Sequence, residues 1–390
     1  MKKSTRVNHP ERVILPTDNL PLTSPVYNAV KYEFPTLKEL QKLTTKEREG
    51  FSYSRQSNPG VSELENSLAQ LQECEAAVAV SSGMSAITTA LFSLTRQGDH
   101  IVTFVESYKP ARVFIRDVLS RYGVTCSIIS IDDHESLEKM LSTQDVRMVY
   151  FESPTNPMNK IADIGHICEL AHANNALVVL DNTVAGLHMH CQFEVDYYIH
   201  SLTKYAGGHG DVMGGAILGS KSKIKKVHAD AALFGPVLDP QAAFLIARGL
   251  KTYFVRVERQ SQNAMKIAQF LEQHKKVVNI FYPGLSNDDY HALAKAQMSD
   301  YGTIVSFDIA GNGDNLHSFI DALKLYKLVF SLGSTESLVS PPGIFNVGDL
   351  NEEERKIARI SPTSVRLAVG IEDADDLIED IDKALSTAYN

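Results

Sequence analysis

Residues Val195 to Leu218 read VDYYIHSLTKYAGGHGDVMGGAIL, and this stretch sets the fold class. Tyr197–His200 and Ala216–Leu218 are apolar, β-prone runs too brief for helices, and they flank a polar, glycine-rich loop. Several such runs are apolar throughout rather than alternating, the pattern of strands covered by helices on both faces of a parallel sheet. Working outward, comparable runs recur at Ala76–Val80, His100–Val105, Thr125–Ile131, Arg147–Phe151 and Ala176–Leu180. Helical patterns alternate with them, beginning with Leu64, Leu68 and Leu71. The expected architecture is α/β: a mostly parallel seven-stranded sheet between helices.

From about Pro240 the pattern turns helical. Ala243, Ile246, Leu250, Phe254 and Val257 recur three and four residues apart, which predicts one long helix, straight or kinked, over Ala242–His274. Beyond Pro283-Gly284, strands are expected at Ile304–Ile309 and Val365–Val369 and helices at Leu316–Leu323 and Asp373–Ala388, forming a smaller α+β C-terminal domain. At the other end, Pro10, Pro16, Pro21, Pro25 and Pro35 punctuate polar segments that pack no core alone. The chain is expected to divide into an arm over 1–60, an α/β domain over 61–245 and a C-terminal α+β domain over 246–390.

Composition narrows the function classes. The 390 residues are 44% apolar and 22% charged, ordinary for a packed protein. A net charge of −9 carries no footprint for phosphate backbones, so nucleic acid is not an expected partner. No apolar run approaches the roughly 18 residues needed to span a bilayer, so no membrane is expected either. Lys2 and Lys3 are followed by polar, proline-containing text rather than an apolar signal core, which points to the cytoplasm. Cys74, Cys126, Cys168 and Cys191 are widely spaced and read as reduced thiols.

In an open parallel sheet, ligands bind beyond the carboxyl ends of the strands. After Val80 comes Ser81-Ser82-Gly83-Met84-Ser85 and then a helical pattern, a turn suited to an anion and equally to ordinary helix capping. The run ending at Phe151 leads into Glu152-Ser153-Pro154-Thr155-Asn156-Pro157, and the one ending at Leu180 into Asp181-Asn182-Thr183, so each delivers an acid to the same edge. Ser201-Leu202-Thr203-Lys204 adds a lysine there. Desolvation favours a lysine's neutral amine, which can bond a carbonyl compound, although an arbitrary loop lysine is simply solvated. An anion turn, an acid and a lysine together are the parts needed to hold pyridoxal 5'-phosphate, by its phosphate, ring nitrogen and aldehyde.

With these residues in view, the chain resembles the Cys/Met metabolism (trans-sulfuration) family of pyridoxal-phosphate enzymes: cystathionine γ-synthase, cystathionine β- and γ-lyases, methionine γ-lyase and the O-acyl-homoserine sulfhydrylases. The resemblance spans nearly the whole chain and is most specific over Val195–Gly215. Supporting stretches are YSRQSNP at Tyr53–Pro59, SSGM at Ser81–Met84, ESPTNP at Glu152–Pro157, DNT at Asp181–Thr183, RGLKT at Arg248–Thr252, YPGL at Tyr282–Leu285 and VRLAVGIED at Val365–Asp373.

The resemblance implies a fold-type I pyridoxal-phosphate transferase with Lys204 as the cofactor-attaching lysine. It implies that Ser82, Gly83, Met84, Ser201 and Thr203 surround the phosphate, and that Tyr53 and Arg55 reach it from a neighbouring subunit. It further implies Tyr108 stacked on the pyridine ring, Asn156 near the phenolic oxygen and Asp181 at the ring nitrogen. Arg366 would grip the substrate α-carboxylate, with Ser331 and Leu332 lining the pocket. Lys204, Tyr108 and Asp181 would be catalytic, in an active dimer paired into a tetramer.

Departures from the usual family text are Gly60-Val61 after Asn58-Pro59, Lys109-Pro110 after Tyr108, and Phe330 where γ-synthases and γ-lyases of cystathionine often carry Glu. They lean toward a cystathionine lyase. The alternatives are cystathionine γ-synthase or O-acyl-homoserine sulfhydrylase, methionine γ-lyase, and, outside the enzymes, a cofactor-binding scaffold without turnover. A nicotinamide dehydrogenase is disfavoured because SSGMSA lacks the G-x-G-x-x-G pattern. His188-Met189-His190-Cys191 lacks structural-zinc spacing, so no metal is expected. His209 is read as supporting its loop by hydrogen bonds.

Overall fold

The computed structural model describes residue 19, residues 21–345 and residues 347–389; Lys2, Lys3, Pro10 and Pro16, which entered the reading of the N-terminus, lie outside them. All seven expected strands form: β1 (Ala76–Val80), β2 (His100–Phe104), β3 (Thr125–Ile129), β4 (Val146–Glu152), β5 (Leu177–Asp181), β6 (Tyr197–Ser201) and β7 (Gly215–Gly219). They build one sheet in the order β1-β7-β6-β5-β4-β2-β3. Strands β3, β2, β4, β5 and β6 run parallel, and β7 is antiparallel to both its neighbours.

Burial on both faces explains why several of these strands, β4 and β5 among them, read as apolar runs. Val149 and Phe151 of β4 pack on one side with Val102, Phe104 and the helix residues Leu64 and Leu68. Met148 and Tyr150 of the same strand pack on the other with Ile101, Ala86 and Ile87. An edge strand needs its spare donors covered. Glu65, from the helix Pro59–Leu71, does this for β1 by accepting the Ala79 N–H at 2.9 Å. Burial pushes that carboxyl up to about 7.

The expected helix over Ala242–His274 is two helices, Pro240–Leu250 and Tyr253–Gln273. The cause is local. A Cβ on Gly249 would lie 2.4 Å from the carbonyls of Ala206 and Gly207, so the first helix ends pressed on the glycine-rich loop. Buried Arg256 then donates Nη2 to both Gly249 O and Tyr205 O at 2.9 Å. The second helix runs from the first core, through Tyr253 and Val257, into a separate one with Ala264, Ile267 and Leu271. Phe254, although in register with the apolar stripe, is exposed.

That separate core covers a five-stranded sheet, ordered β10-β11-β12-β9-β8, where only two strands were expected. These strands are β8 (Val277–Phe281), β9 (Ile304–Ile309), β10 (Lys327–Leu328), β11 (Leu338–Ser340) and β12 (Ser364–Ala368). The helices Gly313–Ala322 and Ala374–Thr387 pack on the sheet through Phe319, Leu377 and Ile381. Within the N-terminal stretch read as irregular, Leu37–Thr44 is helical, capped by Thr36, with no fully buried residue. Among the described residues no helix is long and apolar enough to cross a membrane.

Candidate active site

A cavity of about 390 Å³ opens beyond the carboxyl ends of β4, β5 and β6. On one wall, the helix Gly83–Leu94 begins where β1 ends, with Ser82 as its N-cap. The Ser82 hydroxyl accepts the Ser85 N–H at 3.0 Å, so the capping reading of this turn holds. The first N–H groups of the helix have no acceptor within it, which leaves Gly83 and Met84, both lining the cavity, free to face an anion. Ser201 and Thr203 complete the wall. The fit is close: a Cβ on Gly83 would fall 2.7 Å from the Ser201 Cβ, and one on Gly215 2.1 Å from the Ser82 carbonyl. Gly83→Ala is therefore expected to weaken pyridoxal-phosphate binding roughly tenfold or more, since overpacking of this kind costs about 1–3 kcal/mol. An absorbance titration of the cofactor-free protein measures the change, and affinity within twofold of wild type would contradict it.

The floor is acidic. Asp181 ends β5 and is 6% exposed; it accepts the Thr183 N–H at 3.1 Å and the Tyr150 hydroxyl at 3.3 Å. Glu152 ends β4 directly alongside, in register with Asp181. Burial raises both carboxyls above their ordinary values, and the Asp181 charge raises Glu152 further. Glu152 accepts two backbone donors, Tyr108 N–H at 3.1 Å and Asn156 N–H at 2.6 Å. Tyr108 projects into the cavity half-exposed, its phenol pushed up by burial and then by the two carboxylates.

The opposite wall comes from the second sheet and the loop before β11. Lys204 Nζ donates to Ser331 Oγ at 2.9 Å. Burial, and then the Arg366 charge, bring its amine down to about 8. Arg366, on β12 and 6% exposed, donates to Asn156 Oδ1 and to Ser331 O, both at 2.8 Å. Both partners are neutral, and Arg366 Nε is buried with no acceptor among the described residues. A buried guanidinium without a carboxylate is poised for an anion supplied from outside. The donor set therefore fits pyridoxal 5'-phosphate: N–H and hydroxyl groups for its phosphate, the Asp181 carboxylate for its ring nitrogen and a softened amine for its aldehyde.

Of the fourteen residues to which the resemblance gives a site role, twelve surround this cavity: Ser82, Gly83, Met84, Tyr108, Asn156, Asp181, Ser201, Thr203, Lys204, Ser331, Leu332 and Arg366. Tyr53 and Arg55 do not. Arg55 donates to Ala232 O at 2.6 Å and lies over the Tyr53 ring, away from Lys204. Of the departures, Phe330 stands half-exposed at the rim and packs on Phe345, while Lys109 Nζ donates to Phe345 O at 3.2 Å. Pro110 sits in the first turn of the helix Lys109–Val113, where its missing N–H costs nothing.

Thr183 and Ser340 also line the cavity, and neither was assigned a role. Thr183 belongs to the quoted DNT stretch and accepts the Ser201 N–H at 2.9 Å. Ser340 lies in a three-residue strand beside Arg366, which no periodicity could reveal. His209 bonds Gly207 O at 2.8 Å, within its own loop. His188 goes to Tyr253 and Asp300, and His190 to Asn182, so the two histidines serve different partners.

Comparison with known proteins agrees with this geometry. Residues 17–386 match the sequence model of the Cys/Met metabolism PLP-dependent enzymes. The chain is 36% identical over 369 residues to the L-methionine gamma-lyase of Fusobacterium nucleatum subsp. polymorphum, covering 93% of each chain. It is 37% identical over 364 residues to the cystathionine gamma-lyase of Bacillus subtilis, again covering 93% of each. A crystal structure of an O-acetylhomoserine (thiol)-lyase from Campylobacter jejuni subsp. jejuni, carrying a pyridoxyl-lysine phosphate, superposes with a TM-score of 0.89 at 29% identity, over 96% of this chain and 97% of that one. A phosphate cradle, a buried acid and a softened lysine at one sheet edge thus coincide with sequence kinship along almost the whole length, and the chain belongs to the Cys/Met metabolism family of pyridoxal-phosphate-dependent enzymes.

Proposed function

We propose that this enzyme is a carbon–sulfur lyase acting on cystathionine. The observation that carries the reading is the meeting of Lys204 and Arg366 on one residue, Ser331, by its hydroxyl and carbonyl respectively. An amino acid whose carboxylate lies on Arg366 then has its Cα beside the Lys204 amine. When bound, pyridoxal 5'-phosphate supplies the electron sink for charge developing at that carbon. The chain's own groups do the rest. Lys204, neutral in an appreciable fraction near pH 8, removes the α-proton as general base. Asp181 would hold the ring nitrogen cationic, Tyr108 would cover the ring, and Lys204 or Tyr108 would return a proton to the departing sulfur. Ser82, Gly83, Met84, Ser201 and Thr203 would hold the phosphate, and Asn156 would meet the phenolic oxygen.

An apolar Phe330 at the rim offers no carboxylate to the ammonium of an incoming cysteine, which counts against the replacement chemistry of a γ-synthase, and it equally gives the distal ammonium of cystathionine no partner at this position. The same apolar rim favours a second reading, γ-elimination from methionine, whose tail is short and uncharged. We further propose the division into arm, α/β and C-terminal domains at residues 60 and 245, a cytoplasmic location, and an active dimer paired into a tetramer in which Tyr53 and Arg55 complete a neighbour's phosphate site. Purified enzyme assayed side by side with cystathionine, methionine, cysteine, and O-acyl-homoserine plus cysteine decides among these. Fastest release of a keto acid from cystathionine is expected, and faster product formation in the last mixture would overturn the lyase assignment.

A further inference from the structure

We propose that Glu152 is a positioning residue, holding Tyr108 and Asn156 by their backbone N–H groups and, through the Asn156 carboxamide, fixing the guanidinium of Arg366. The proposal rests on the reading of the cavity as a cofactor and amino-acid site. Its two oxygens serve different loops: Oε2 accepts Tyr108 N–H at 3.1 Å, after β2, and Oε1 accepts Asn156 N–H at 2.6 Å, after β4. Asn156 Oδ1 then accepts Arg366 Nη1 at 2.8 Å, from a strand of the other sheet. One carboxylate thus ties together a residue expected over the ring, one expected beside it and the residue expected to hold the substrate carboxylate.

Glu152 is a costly group to keep here. It is 4% exposed, stands beside Asp181, and makes no ion pair among the described residues, the nearby Arg112 being committed to Asp349. A glutamine would fill the same space without a buried charge. It would, however, present only one acceptor atom, its NH₂ facing a donor at the other end. Two separate N–H groups require two oxygens, and that requirement accounts for the acid.

Hydrogen-exchange mass spectrometry on cofactor-free wild type and Glu152→Gln tests the first link. Exchange at whichever of Tyr108 and Asn156 faces the glutamine NH₂ is expected to quicken about tenfold while the rest of the chain is unchanged, since that buried donor loses its acceptor. The second link is read kinetically on loaded enzyme. The KM for the amino acid should rise about tenfold, and pyridoxal-phosphate affinity should fall by less than that, since the residues assigned to its phosphate and aldehyde are not held by Glu152. In the double variant with Asn156→Ala, KM should stay within about threefold of the worse single variant, because coupled groups are not additive. Multiplying losses, faster exchange throughout the chain, or a cofactor affinity that falls as far as KM rises would each overturn the proposal. Glu152→Asp, which keeps both oxygens one methylene short, should fall between the two; a loss as large as that of Gln would also overturn it. A wild-type enzyme inert toward every sulfur amino acid would instead defeat the functional reading, leaving the exchange result to judge Glu152 alone.

Discussion

Lys204→Ala is expected to lower turnover by at least roughly 10⁴-fold and to leave no cofactor that borohydride fixes to the protein, since both the general base and the carbonyl-bonding amine are removed together. The environment of this lysine is what makes the effect so large. An amine at its ordinary value near 10.5 is neutral about once in 3,000 molecules at pH 7, whereas one near 8 is neutral about once in ten. Burial first, and the Arg366 charge second, supply that gain. The sign follows directly: in the cofactor-free protein, acylation of Lys204 by an amine-selective reagent should rise as pH climbs through about 8 and level off above it. Lys204→Arg separates charge from basicity. Arginine keeps the cation but cannot give up its proton at working pH, so it should be as inactive as alanine. Keto-acid release measured at saturating substrate checks both variants, and turnover within tenfold of wild type in either would remove Lys204 from the chemistry.

Much of this arrangement was legible because the chain concentrates it in local text. The inner strands β2, β4, β5, β6 and β7 are largely buried on both faces, so several appear as apolar runs, and the residue ending each run marks the edge where ligands bind; the edge strand β3, TCSII, is partly exposed. That rule alone points to Ser82, Asp181 and Lys204 in the sequence. The second sheet obeys a weaker rule. Strand β8 is half-exposed along its length, β10 is two exposed residues, and β11 is three residues between a serine-rich loop and a proline pair. None carries a period long enough to read. The helix break at Lys251-Thr252 was illegible for a different reason. Its cause, Gly249 pressed on the carbonyls of Ala206 and Gly207, joins residues more than forty positions apart.

The site shows the same division between local and long-range information. Glu152 was recognisable as an acid at the right edge, yet its task was hidden, because Tyr108 N–H lies 44 residues away. Tyr53 and Arg55 stand out in a conspicuous motif and still do not meet Lys204 within one chain. A motif fixes which residues matter to a family; only the fold says which atoms they touch.

Arg366→Met should raise the KM for the amino-acid substrate by two orders of magnitude or more, with pyridoxal-phosphate affinity within about threefold of wild type. Removing one side of a buried, hydrogen-bonded charge pair costs about 2–5 kcal/mol, or roughly 30- to 5,000-fold. Arg366 belongs at the upper part of that range because nothing inside the protein competes for its charge. Its partners are the amide oxygen of Asn156 and the carbonyl of Ser331, both dipoles, and Nε has no acceptor among the described residues. Burial brings the guanidinium down to about 10, still well above neutrality, so the positive charge is present at every working pH. Substrate binding should therefore be insensitive to this group from pH 6 to 8 and weaken only as pH climbs toward 10. Arg366→Lys is the sharper variant. It keeps the charge but cannot hold Asn156, Ser331 and a carboxylate in one plane, so its KM should fall between wild type and Met. If Lys restored the wild-type KM, charge alone would suffice and the planar arrangement with Asn156 would have no part in binding. Equal losses of substrate and cofactor affinity in the Met variant would make Arg366 a residue that joins the two sheets rather than one that holds the substrate.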